Sequence, residues 1–309
     1  MKRRLVPWLL AACLAAALPV QARHDKGARK GDFSFAVIGH SFRSDSGEAE
    51  FRRLQTEAQQ GDPAFIISIG IKAASEACSD RLYSERRTLM DSAEQPLVLV
   101  PAGSDWADCR NANGSSSAIE RLNRIREVFF SEPESLGNRK LALSRQSASP
   151  KFRSYAANTY WEHEKVLFAT LNVPAKNNHY VSAAGRNSEY EDRMVANRAW
   201  LQRLFLLARS QKLAGIVLVT DGDIGAHIDH GFFERLAQKR DGYTDTRRLV
   251  RALAEKFPGK VLLVDAQKKD KAATAISWNR NIGHLALGTE WAAVRVIPGS
   301  AALFDVTPN

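Results

Sequence analysis

Five stretches of this 309-residue chain gather side chains that do chemistry, and each follows a short apolar run. They are Gly39-His40-Ser41-Phe42, Gly70-Ile71-Lys72, Gly103-Ser104-Asp105, Asp221-Gly222-Asp223 and Asp265-Ala266-Gln267-Lys268-Lys269. Carboxylates and imidazole are donors for divalent cations, so His40, Asp221, Asp223 and Asp265 are the candidates for a single-metal site. That site would take Mn, Mg, Zn or Fe. Ser104 with His40 as its base and Asp105 nearby has the residue types of a metal-free nucleophile, but lacks the Gly-x-Ser-x-Gly setting of a strained, exposed serine. The competing reading of Asp221-Gly222-Asp223 is plain turn chemistry. His227-Ile228-Asp229-His230 spaces two imidazoles one helical turn apart, half a metal site with no third ligand at hand. His24, His163 and His284 offer no nameable partner.

The elements that must position these groups are legible as runs and periods. Phe33–Gly39, Ala64–Gly70, Leu97–Pro101, Gly215–Thr220 and Lys260–Asp265 are apolar on consecutive residues, which reads as strands buried on both faces. Ligands of α/β sheets bind beyond the carboxyl ends of such strands. Helical spacing covers Glu48–Gln60, Cys78–Ser92, Gly231–Lys239 and Thr244–Phe257. Capping boxes at Ser117–Glu120 and Ser188–Glu191 open helices to about Phe130 and Ser210. Ser154–Glu162 and Lys165–Val173 alternate and predict an antiparallel pair turning at His163-Glu164, while Leu141–Pro150 reads as irregular. The tail, Thr274–Val306, reads as short extended segments. These elements interleave without a linker, so residues 23–309 are expected to form one α/β domain: a two-sheet β-sandwich flanked by helices.

Residues 1–22 carry a basic start, an apolar stretch and a small-residue site ending at Ala22. That pattern predicts a cleaved leader and an exported chain, periplasmic or secreted. Leu10-Ala11-Ala12-Cys13 offers the alternative of a lipid anchor at Cys13. No membrane span is expected in the mature chain. Cleavage removes three of the 44 basic residues and none of the 34 acids, leaving 41 against 34 and a balance of +7. The basic residues are scattered, without aromatic interleaving, which argues against nucleic acid and leaves an anionic small molecule or phosphorylated ligand as the partner class. Two cysteines remain, Cys78 and Cys109; an even count in an oxidising compartment suggests a disulfide, the other reading being two separate thiols.

The layout resembles the calcineurin-like metallophosphoesterases, and in particular an exported bacterial branch of that family. The residues that carry the likeness are Gly70-Ile71-Lys72 with Cys78-Ser79-Asp80, and Pro101-Ala102-Gly103-Ser104-Asp105-Trp106-Ala107-Asp108-Cys109. The resemblance implies a four-layer metallo-dependent phosphatase-like sandwich, supports the Cys78–Cys109 pairing, and places Asn177-Asn178-His179 where the family carries an asparagine run, so that Asn178 would line the site. It also implies two divalent ions about 3.5–4 Å apart that activate water and hold phosphate oxygens.

The family's metal ligands do not carry over. At the first strand end His40 and Phe42 stand where two ligands belong, and the bridging carboxylate is replaced by Ile71. Ser104 replaces an amide donor, and Ala266-Gln267-Lys268-Lys269 replaces a late histidine segment. The expectation is therefore a protein without the two-metal centre, a non-catalytic binding or scaffold domain with no cofactor. His40, Lys72, Ser104, Asn178 and Lys269 would hold an anionic ligand, the lysines standing in for metal charge. The alternative is a residual phosphoesterase with the rearranged single-metal site.

Overall fold

Consecutive apolar residues become strands because both of their faces are covered. In the computed structural model, residues 31–42, 47–181, 187–229, 241–268 and 274–307 are described. The leader, Cys13, Ala22, His24, His230, Lys269 and the helix expected at 231–239 lie outside them.

One sheet contains β1 (Phe33–Ile38), β2 (Ile66–Ile69), β3 (Leu97–Val100), β11 (Trp291–Val296) and β12 (Phe304–Thr307), in the order β12-β11-β1-β2-β3. The other contains β4 (Ser144–Arg145), β5 (Thr159–His163), β6 (Val166–Thr170), β7 (Gly215–Val219), β8 (Lys260–Asp265), β9 (Ser277–Asn279) and β10 (Ile282–Ala286), in the order β4-β5-β6-β7-β8-β10-β9. Both sheets are mixed. The pairs β1–β2, β2–β3, β6–β7, β7–β8 and β8–β10 are parallel, with antiparallel strands added outside them. The helices are α1 (Gly47–Gln60), α2 (Asp80–Asp91), α3 (Ala118–Phe129), the single turn α4 (Ala175–Asn178), α5 (Ser188–Ser210) and α6 (Thr244–Glu255).

Alternation along each strand divides the apolar side chains between two layers. Phe35, Val37, Ile67, Ile69, Val98 and Val100 face Phe168, Val217, Val219, Leu262 and Val264 across the sandwich. The intervening residues Ala36, Ile38, Ile66 and Leu99 pack outward on Phe51, Leu54, Leu89 and Leu122 of α1–α3. Ile216, Leu218, Val261 and Leu263 pack on Leu201, Leu204, Phe205 and Val250 of α5 and α6. All the parallel strands point their carboxyl ends to one end of the sandwich, where the polar stretches emerge.

Three expectations shift. The stretch 141–150 contains the two-residue strand β4 and a 3-10 turn. The expected strand from Ser154 begins only at Thr159, because the backbone before it closes tight turns instead, Tyr155 N donating to Phe152 O at 2.9 Å and Asn158 N to Tyr155 O at 3.2 Å. The β5–β6 turn falls at Glu164-Lys165, both with positive φ, the form that suits a two-residue hairpin. Cys78 and Cys109 are joined by a disulfide spanning 31 residues, with Cα atoms 5.9 Å apart. Among the described residues no helix is long and apolar enough to cross a membrane.

Candidate functional site

The chain leaves β1, β3, β6, β7 and β8 at the same end of the sandwich, and these exits enclose a cup of about 340 Å³. His40, Ser104, Lys176, Asp221, Gln267 and Lys268 line it, with Gly288 and Thr289 from the turn after β10. His40 Nε2 lies 2.8 Å from Ser104 Oγ. The ring can occupy this position because residue 70 is glycine: φ there is +87°, and a Cβ would sit 2.3 Å from His40 Cδ2.

Two buried aspartates brace the loops around the cup; Asp221 lines it, whereas Asp105, fully buried, does not. Asp105 accepts hydrogen bonds from the amides of Ile71 (3.0 Å), Lys72 (3.2 Å) and Ala102 (2.7 Å), tying the exits of β2 and β3 together. Burial pushes its carboxyl up to about 6, against the opposing pull of His40 and the amide donors. Asp221 accepts through one oxygen from the amides of Gly103 and Ala175, both at 2.7 Å. Burial raises its pKa also, with those two amides and His40 acting in the other direction.

The cup's rim follows an unusual piece of backbone. Lys176, Asn177, Asn178 and His179 all have φ between 54° and 61°, four successive non-glycine residues in the left-handed region. Each such residue is strained by roughly 1 kcal/mol or more and persists only where its surroundings over-determine it. The determinants are visible. Arg193 donates to the Asn178 carbonyl (2.9 Å) and side-chain oxygen, and is itself held by Glu189 Oε1 at 2.7 Å. Asn178 Nδ2 donates to Gly242 O at 2.8 Å, and Gly242 N to Asn177 Oδ1 at 2.8 Å. His179 Nδ1 lies 3.1 Å from Glu189 Oε2, and the His179 ring meets Trp106 edge-on at 4.7 Å. Burial would raise the Glu189 carboxyl, but His179 and Arg193 hold it down to about 2.

The residues singled out in the sequence divide accordingly. His40, Ser104 and Asp221 meet in the cup. Lys268 lines it too, with its ammonium on Glu290 (2.7 Å) and Thr274 (3.1 Å). Lys72 is buried with its ammonium on the carbonyls of Ala73 and Glu76, each at 2.8 Å, and is not a lining residue; burial lowers its pKa, against the attraction of Asp105 and Glu76. Asn178 supports the rim from beneath rather than lining the cavity. Phe42 is buried and stacked on Phe51 at 4.8 Å, and Ile71 is fully buried in the same outer cluster.

Asp223 and Asp265 are not in the cup. They meet His227 and His284 on the outer, helix-covered face of the seven-stranded sheet, a grouping not expected from sequence. His284 Nε2 is 2.7 Å from Asp265 Oδ2 and 4.0 Å from Asp223 Oδ1. His227 Nδ1 is 3.8 Å from Asp223 Oδ1, and the two imidazoles stack at 3.7 Å. Neither histidine advertises this. The contact depends on the β8–β10 register, which sets His284 opposite Leu263, two residues before Asp265. A larger cavity, about 430 Å³, lies between α1 and β11 and is lined by Glu50, Arg53, Glu57 and Trp291; no predicted residue contributes to it.

Compared with known proteins, the chain matches no protein-family model and no curated protein.

Proposed function

We propose that the cup binds a small anionic ligand of the phosphate or phosphate-monoester class without hydrolysing it, on a phosphoesterase-like scaffold that has lost its two-metal centre. The observation that carries this reading is the donor set. Where the resemblance asks for metal ligands the chain has Phe42 and Ile71, apolar and buried, and neither offers a lone pair. Those residues do not fit a two-ion centre. Among the described residues the one cluster of three metal-ligating side chains is Asp223, His227 and His284, none of which lines the cup. What the cup does present is an imidazole, two hydroxyls, an amide and two ammonium groups, Lys176 paired with Asp108 and Lys268 with Glu290, each ammonium keeping further N–H donors for phosphate oxygens. Asp221 also lines the cup, with one of its oxygens accepting from two amides.

Titration calorimetry with inorganic phosphate and with a nucleoside monophosphate, in the presence of a chelator, tests the proposal. Binding that weakens at least about tenfold in Ser104→Ala is the expected result. No heat from either ligand overturns it.

A second reading, residual hydrolysis of phosphate esters, draws on the 2.8 Å His40–Ser104 contact. Release of nitrophenol from a generic aryl phosphate ester, abolished in His40→Ala, would favour it; no turnover with or without manganese rejects it.

A further inference from the structure

We propose that Asp223, His227 and His284 bind a divalent transition-metal cation of the zinc class, at a site separate from the cup, with the buried Asp265 carboxylate beside it. Three elements converge to make it. Asp223 and His227 lie on the chain leaving β7, His284 sits in β10, and Asp265 ends β8. The sheet alternation puts Asp265 and His284 on the outer face, since their neighbours Val264 and Leu285 point into the sandwich.

The three side chains converge. All three ligand atoms lie within 4.8 Å of one another, and the nitrogens of His227 and His284 are 3.8 and 4.0 Å from the same carboxylate oxygen of Asp223. Two ligands bound at about 2.0–2.1 Å cannot be more than about 4.2 Å apart, so the set is within reach of one cation once the two imidazoles rotate out of their stack, because a cation lies in the plane of each ring that binds it. The surrounding chain is anchored: Asp223 Oδ1 accepts from Gly225 N at 2.7 Å, and the backbone carbonyl of His227 accepts from Asn279 Nδ2 at 2.9 Å. Asp265 is 2% exposed and accepts from Gln267 N at 2.8 Å while facing His284 at 2.7 Å. Asp265 Oδ2 and Asp223 Oδ1 face the same nitrogen of His284, so a cation on Nε2 displaces the proton between His284 and Asp265 and takes that carboxylate as a negatively charged neighbour.

The ligand types choose the metal. Two imidazoles and one carboxylate suit zinc, cobalt or nickel, whereas magnesium and calcium prefer all-oxygen shells. With neutral imidazoles the two carboxylates carry a double negative charge into a mostly buried place, and a dication cancels it. Three protein ligands leave a fourth position for solvent.

The test uses the full chain, stripped with a chelator and dialysed free of phosphate, so its outcome does not depend on the anion-binding reading. Titration with zinc chloride should give one ion per chain at about micromolar affinity or tighter, with magnesium at least about a hundredfold weaker. His227→Gln and His284→Gln should each weaken zinc about a hundredfold, and Asp265→Asn, which removes a negative charge beside His284, about tenfold, with circular dichroism confirming that each is folded. No stoichiometric zinc binding up to about 100 µM, or binding unaffected by both histidine changes, overturns the site. If the variants fail to fold, X-ray absorption of the cobalt-loaded wild type decides: two imidazole ligands are expected, and fewer than two reject the assignment.

Discussion

The Gly103 amide donates to the Asp221 carboxylate at 2.7 Å across 118 positions of sequence, joining the exit of β3 in one sheet to the exit of β7 in the other. The same oxygen holds Ala175, beyond β6. Removing the carboxylate leaves two amides in a buried setting, each costing about 1–3 kcal/mol. Asp221→Ala should therefore lower stability by about 2–5 kcal/mol in urea unfolding, and Asp221→Asn, which keeps an accepting oxygen, by clearly less.

Asp105 gives a pH signature. Its folded pKa, raised to about 6, lies above the roughly 4 of an unfolded aspartate, so the folded state binds the proton more tightly. Its contribution to stability is fully present below about pH 4, falls as pH rises to about 6, and is constant above that. The stability difference between wild type and Asp105→Asn should shrink by about 2 kcal/mol between those pH values, read from denaturant midpoints.

Glu189 works in the opposite direction. Held down to about 2 by His179 and Arg193 despite its burial, it stabilises the fold above about pH 4.5 and loses that contribution as pH falls toward 2. Glu189→Gln should flatten acid unfolding in that window by about 2–3 kcal/mol.

The left-handed run at the rim separates stability from binding. Lys176 has φ 57° and ψ 63°, a conformation that glycine adopts freely. Lys176→Gly should be about 1 kcal/mol more stable than Lys176→Ala, which loses the same ion pair with Asp108, and both should weaken phosphate at the cup, because they remove a rim ammonium. Equal or lower stability in the glycine variant would show that the turn is not strained.

The disulfide closes a loop of 31 residues. In the chain-entropy treatment its loss costs about 3–4 kcal/mol. The double change Cys78→Ser with Cys109→Ser, compared with wild type by urea unfolding without reductant, measures it.

What the sequence made legible follows burial. β1, β2, β3, β7 and β8 were readable because residues such as Val98-Leu99-Val100 are apolar on both faces, and a strand covered twice leaves that mark. β10 carries Gly283 and His284, and β11 alternates; neither shows that one lies beside β8 and the other beside β1, since register is decided by partners far away in the chain. The same limit governs the sites. His40 and Ser104 follow strands that could be read, so their meeting was accessible. Lys72 stands at a strand end too, yet its side chain turns back to the carbonyls of Ala73 and Glu76, a local choice that residue type does not reveal. His227 and His284 come together only through the β8–β10 pairing, and no spacing of 57 residues announces it.

Because one carboxylate takes hydrogen bonds from the backbone of both halves of the sandwich, spreading the halves apart breaks the Gly103–Asp221 bond and leaves buried polar groups unpaired. The cup is therefore expected to keep its width when a guest arrives, so fit to a fixed shape, not closure around the guest, decides what is held.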